Sequence, residues 1–184
     1  IIKIESVPYA FMMDDIGYIR IQNFARSTGE EVRAALDNLL EKGMRGLILD
    51  LRFNPGGLLR SAQEVSEIFL EREKLIVFTK GRLRSQNNSY YSEARGKVYN
   101  DFPTIVMVNG SSASASEILA AALQDHDAGL VVGKTSFGKG SVQTVYPLDE
   151  DEAIKLTTAR YYTPSGRSIH KERPKEEEDE GHSG

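Results

Sequence analysis

The sequence contains no cysteine, no tryptophan and only three histidines. Without cysteine there is no thiol nucleophile, no zinc–thiolate centre and no disulfide framework. Redox compartment stays open, because a cysteine-free chain suits either side of a membrane. No apolar stretch approaches the ~20 residues that span a bilayer. Positive charge is not in excess: 27 acidic residues outweigh 23 basic ones, for a net charge of −4. That is the opposite of the basic face expected for a nucleic-acid binder. The chain opens at Ile1 with neither a methionine nor a basic-then-apolar leader, and so reads as a piece of something longer.

What is present is a globular composition. The 184 residues, 40% hydrophobic, are expected to form one domain with small subdomains and to bury a core without staples. Part of the acidity is local: Glu176, Glu177, Glu178, Asp179 and Glu180 form one run. Such runs are solvated, so residues 173–184 are expected to be a flexible acidic tail on a core of 1–172.

Alternation predicts a strand over 16–22. Ser27-Thr28-Gly29-Glu30 resembles a capping box, and Val32, Ala35, Leu36, Leu39 and Leu40 follow at helical spacing up to a stop at Gly43. Residues 46–51 suit a strand buried on both faces. A turn at 54–57 leads to a helix from 58 to 70, with Leu58, Ala62, Val65 and Phe69 on one side. Strands are predicted at 75–79, 104–109, 130–132, 141–145 and 153–162. A small-residue helix is predicted from Ser114 to Gln124. From Gly81 to Asp101 the pattern is lost, as in a flap or short hairpin. Alternating strands and helices imply an α/β domain with a substantially parallel sheet.

Three segments can carry chemistry. Ser114 stands where a strand passes into a helix. A hydroxyl on such a turn is exposed, and the unpaired N–H groups of the helix start can stabilise an oxyanion. The same letters also suit an ordinary helix cap with close helix–sheet packing. Gly133-Lys134-Thr135-Ser136-Phe137-Gly138-Lys139-Gly140 nearly matches a phosphate-binding loop. Two features exclude that reading: Gly140 stands where the magnesium-binding hydroxyl belongs, and the following segment alternates like a strand. A solvated lysine in a glycine-rich turn explains the same segment. Asn54-Pro55-Gly56-Gly57 can present backbone N–H groups to a reacting carbonyl, or be a plain turn.

Together, four stretches resemble the carboxyl-terminal processing, or tail-specific, serine proteases. They are Asp-Leu-Arg-Phe-Asn-Pro-Gly-Gly-Leu-Leu (50–59), Gly-Ser-Ser-Ala-Ser-Ala-Ser-Glu-Ile (110–118), Ser-Phe-Gly-Lys-Gly-Ser-Val-Gln (136–143) and Tyr-Tyr-Thr-Pro-Ser-Gly-Arg-Ser-Ile (161–169). The order and spacing are those of the family. The resemblance implies a crotonase/Clp-protease-like α/β core of β-sheet with packed helices and a small strand-rich extension. It implies Ser114 as nucleophile, Lys139 as general base and Gln143 as the residue orienting the lysine. Oxyanion donors would be backbone N–H groups of Gly57 (or Gly56) and Ala115. Asp125 matches an acidic family position, expected to be structural or to act through a neighbour. Phe53 stands where the family often has a polar residue such as Asn.

A free lysine titrates near ~10.4, so about one in a thousand is neutral near pH 7.4. A lysine base must lose roughly 3 units, worth about 4 kcal/mol, and burial is one means. Phe137 is the expected desolvating wall. Gln143 can hold the amine without adding the negative charge that would keep it protonated. A serine–histidine–aspartate triad is disfavoured. His182 lies in the tail, His170 follows the last strand, and His126 stands about 18 Å from Ser114 along the helix.

The resemblance implies protein or peptide substrates with accessible C-terminal tails, no cofactor, no metal and no nucleic acid. It implies an extracytoplasmic setting, and leaves room for membrane-associated substrates and an oligomer. Family members usually carry a PDZ domain that captures substrate C-termini, and no PDZ-like stretch occurs here. Two rivals stand. A non-catalytic ligand- or peptide-binding module on the same fold would not need both Ser114 and Lys139. An acyl-CoA enzyme of the crotonase type would leave the serine, lysine and glutamine without a task.

Overall fold

The computed structural model describes residues 5–149 and 152–172. The acidic run at 176–180, the expected tail and His182 lie outside them.

The described chain runs β1 (Tyr9–Met13), β2 (Ile16–Arg20), α1 (Thr28–Glu41), β3 (Gly46–Asp50), α2 (Leu59–Phe69), β4 (Leu75–Gly81), a short 3-10 turn (Arg84–Gln86), β5 (Ser89–Tyr91), β6 (Thr104–Val108), α3 (Ala115–Asp125), β7 (Leu130–Gly133), β8 (Ser141–Pro147) and β9 (Ala153–Tyr162). Five strands form one sheet in the order β1-β2-β3-β6-β7. Only the β1–β2 hairpin within it is antiparallel. A second, antiparallel sheet has the order β5-β4-β9-β8. The α/β class with a substantially parallel sheet holds, and the strand-rich extension is the second sheet.

Helices cover one face of the first sheet. Ile19, Leu49 and Val106 share one row across β2, β3 and β6, and all three are buried. Val32, Leu36 and Leu39 of α1, Ala62, Val65 and Ile68 of α2, and Leu119, Ala122 and Leu123 of α3 join them in one core. Truncating such a leucine to alanine costs about 2–5 kcal/mol. This burial fixes the strand register, because a one-residue slip would turn the whole row to water. The site loops leave the carboxyl ends of β3 and β6, so their spacing is set by that register.

Several local expectations are corrected. The capping box at 27–30 does not form. Ser27 Oγ donates instead to Glu31, and Glu31 accepts the N–H groups of Ser6 and Val7. Glu31 thereby pins the approach to β1. Leu58 is exposed as the residue before α2, while Ala62, Val65 and Phe69 are buried as expected. The stop at Gly43 is real, with φ at +87°. The unpatterned stretch 81–101 contains the 3-10 turn and β5, a short flap laid against β4.

Candidate active site

Ser114 is held in a backbone conformation that suits glycine better than serine. Its φ is +56° and its ψ −113°, between the end of β6 and the first turn of α3. Such a residue costs of order 1–3 kcal/mol and persists only where its surroundings impose it. The imposing contacts are clear. Ser112 Oγ, fully buried, donates to Leu51 O and accepts the N–H of Asn109. The N–H of Ala113 donates to Asn54 O at 3.0 Å, and Ser116 Oγ donates to the same oxygen. The serine turn is therefore stitched to the loop that follows β3.

That loop is organised by Asn54, which is completely buried. Its Nδ2 donates to Ile21 O at 2.8 Å, and its Oδ1 accepts the N–H of Gly56 at 2.9 Å. One side chain thus ties the ends of β2 and β3 together. Gly56 is corrected as an oxyanion donor, because its N–H is spent on Asn54. Its part is close packing: a Cβ there would stand 2.8 Å from Ser114 Cβ and 2.9 Å from Ala115 N. Gly57 O–N geometry is set by the parallel bridge to Phe24, which uses Gly56 O and Leu58 N–H. The N–H groups of Gly57 and Ala115 have no acceptor among the described residues. Ala115 directly follows the serine at the N-terminus of α3, where the helix dipole is positive, and Gly57 directly follows Gly56, which packs against Ser114.

Below the loop, Asp50 is buried and bridged by Arg52 and by the Tyr18 hydroxyl, which donates at 2.7 Å. Burial alone would raise its pKa. The hydrogen bonds from Arg52 and Tyr18 outweigh burial and hold the carboxyl below its ordinary value.

Glu117 joins the serine to the lysine. It is 6% exposed and lies on the first turn of α3. Its carboxylate accepts four hydrogen bonds, from the N–H groups of Ser114, Gly138 and Lys139 and from Ser136 Oγ. The lysine loop is gripped elsewhere too. Phe137 N–H donates to Ser112 O, Lys171 N–H to Gly138 O, and Tyr161 N–H to Gly140 O. The Gly133–Gly140 segment is an irregular loop entering a strand, which removes the phosphate-loop reading for good. Sequence reasoning passed over Glu117 and Asn54. The signal for Glu117 was its place three residues after Ser114, the spacing of a side chain that reaches back to a helix start.

Above its backbone, the lysine is open. Lys139 and Gln143 are exposed, and no hydrogen bond joins Lys139 Nζ to Ser114 Oγ or to Gln143 among the described residues. Phe137 is 58% exposed, so the expected desolvating wall is not formed by this side chain.

Asp125, at the far end of α3, accepts the N–H of Ser165 at 2.9 Å and pairs with Arg167. Burial opposes its charge, but hydrogen bonds from Ser165, Thr163 and Arg167 win and lower its pKa. Asp125 thus holds the 163–167 turn. His126 contacts Leu75 O, away from Ser114. The backbone of His170 packs on Gly140, beside Lys139. No hydrogen bond links any described histidine to Ser114.

The fold is a Clp-protease-like α/β core carrying a serine on a strand-to-helix turn. A sequence model for peptidase family S41 matches residues 15–177, and the chain belongs to that family. It is similar to the carboxy-terminal-processing protease of Bartonella bacilliformis, 48% identical over 174 residues, covering 92% of this chain and 39% of the relative. The carboxy-terminal processing protease CtpA of Bacillus subtilis is 41% identical over 174 residues, covering 92% of this chain and 36% of its own length. Among solved structures, a photosystem II D1 C-terminal processing protease superposes with a TM-score of 0.77 at 35% identity, covering 84% of this chain and 39% of that one. The chain therefore spans well under half the length of these relatives.

Proposed function

We propose that this chain is the cutting centre of a serine endopeptidase that acts on protein substrates near their C-termini, with Ser114 as nucleophile and Lys139 as general base. One observation carries the reading: Ser114 is strained into a half-buried turn at the start of α3, and Glu117 ties its backbone to that of Lys139.

In this scheme neutral Lys139 takes the Ser114 proton as Oγ attacks the scissile carbonyl. The N–H groups of Gly57 and Ala115 hold the oxyanion. The lysine then protonates the leaving amine, and water releases the acyl group from the serine. Gln143 orients the amine. A lysine base works best out of water, and Lys139 is exposed here. Its cover is assigned to bound substrate. An extracytoplasmic setting belongs to the same reading. Among the described residues, no helix is long and apolar enough to cross a membrane.

The rival binding module rests on the exposed Lys139, which such a module would tolerate. A fluorophosphonate probe separates the two. Labelling of Ser114 that disappears in Ser114→Ala and in Lys139→Ala supports the dyad. Near-normal labelling or peptide turnover in Lys139→Ala overturns it.

A further inference from the structure

Among the described residues, the strand that leaves the lysine loop is an unguarded sheet edge. In the second sheet β8 is terminal, paired with β9 on one side only. The direction of its backbone groups follows from two hydrogen bonds. Gly140 O accepts from Tyr161 N–H at one end, and Leu148 N–H donates to Glu152 O at the other. In an antiparallel ladder the inward and outward residues alternate. Both ends therefore give the same phase: even-numbered residues of β8 face β9, and Ser141, Gln143 and Val145 turn their N–H and C=O groups to the free edge. The register shift between Val142 and Gln143 leaves the extra residue on β9, since Ala159 and Thr157 are the successive partners. The free edge of β8 thus runs regularly, and Pro147, lacking an N–H, closes it.

Exposed edges are ordinarily blunted by charge, bulges or brevity. The segment Ser141-Val142-Gln143-Thr144-Val145-Tyr146-Pro147 has no charged residue and seven positions, against three in the opposite edge strand β5. Its side chains present an apolar surface too. Val145 is 59% exposed, and Tyr146 is exposed opposite exposed Ile154. The first outward residue, Ser141, is two positions from Lys139.

We infer that an extended, predominantly apolar segment of the substrate polypeptide adds to β8 as a further strand, through the outward groups of Ser141, Gln143 and Val145. This deepens the protease reading and rests on it for the identity of the occupant. Main-chain hydrogen bonds give such strand addition its affinity, and alternate side chains give its preference. The added backbone would lie one strand spacing, about 4.8 Å, from the chain that carries the lysine. Selection is then for extended conformation and uncharged alternate residues.

The test uses the 184-residue chain with Ser114→Ala, so that binding is read without cleavage. The probe is a fluorescein-labelled, end-blocked peptide of alternating valine and threonine, followed by anisotropy. Two versions carry N-methyl groups on alternate residues, one on the odd set and one on the even. Strand addition predicts that one methylated set loses at least tenfold in affinity while the other binds as the parent does. Val145→Pro, which removes an outward N–H and none of the β8–β9 ladder, should weaken the parent peptide similarly. Equal binding of both methylated sets, or unchanged binding to Val145→Pro, overturns the inference while leaving the Ser114 reading intact. A dimer abolished by Val145→Pro in a chain that binds no peptide also overturns it, because the edge then serves a second copy. Loss of labelling in the parent chain would sink the protease reading and leave the binding result to stand by itself.

Discussion

Glu117 Oε2 accepts the backbone N–H of Ser114 at 2.8 Å and the backbone N–H of Lys139 at 2.9 Å. A single buried oxygen therefore ties together the chain segments carrying Ser114 and Lys139. Glu117→Gln keeps the shape but turns one acceptor into an N–H₂ donor, which must face two donors. A hydrogen bond to a charged group is worth about 1.5–3 kcal/mol. The variant should lose about 3 kcal/mol of stability by denaturant titration. Its folded fraction should label with the serine probe at least tenfold more slowly, and unchanged labelling would show that the carboxylate does not set the site geometry.

Gly56→Ala should be damaging for a different reason. Its added Cβ would stand 2.7 Å from Ala113 O, on a residue whose φ is +99°. The neighbour is backbone and cannot swing aside, so the serine turn must shift. Loss of more than 1 kcal/mol of stability, on the order of a strained left-handed residue, is expected together with loss of probe labelling. Labelling at the parent rate would mean that the turn tolerates displacement.

Phe53→Asn should stabilise the protein. Phe53 has φ at +62° and is 65% exposed, so it carries left-handed strain and loses little burial when replaced. Asn adopts that region far more readily. A gain of about 0.5–1 kcal/mol is expected, read as a raised midpoint in thermal melts. A lowered midpoint would show that the phenyl ring packs usefully.

Asp125 gives the fold an acid-sensitive tie. Its pKa is lowered below 3.8 in the folded chain. A depressed carboxyl contributes its full stability above its unfolded pKa of about 4, and that contribution is lost as pH falls from there through the lowered folded value. Asp125→Asn should cost about 1 kcal/mol at pH 7, modest because Arg167 is largely in water. Between pH 5 and pH 3 the variant should lose less stability than the parent. Parallel loss in both would mean that the ion pair contributes nothing.

Most of the fold was legible because burial writes its period into the chain. The continuous apolar run Leu47-Ile48-Leu49 could only suit a central strand, and Val32, Leu36 and Leu39 could only suit a helix face. β1 escaped notice because Tyr9, Phe11 and Met13 are exposed on an edge and carry no clean alternation. β5 is three residues long, too short for a pattern. The turns that carry Ser114 and Gly57 followed from motif and turn chemistry. What stayed hidden was polar and long-range. Asn54 and Glu117 work through partners that are distant along the chain or reached only through backbone N–H groups, and no periodicity reports such bonds. The openness of Lys139 was hidden too, since exposure depends on what the rest of the molecule lays over it.

Both ends of α3 hold parts of one apparatus: Glu117 grips the lysine loop, and Asp125 grips the turn leading to the segment that packs on Gly138 and Gly140. The helix is thus a gauge, with eleven residues giving a fixed length of about 16 Å. Insertions could accumulate in the flap between β4 and β6 without disturbing it. A single residue gained or lost inside α3 would rotate one grip by about 100° relative to the other. Descendants of this chain can therefore change the length of their loops freely, but not the length of this helix.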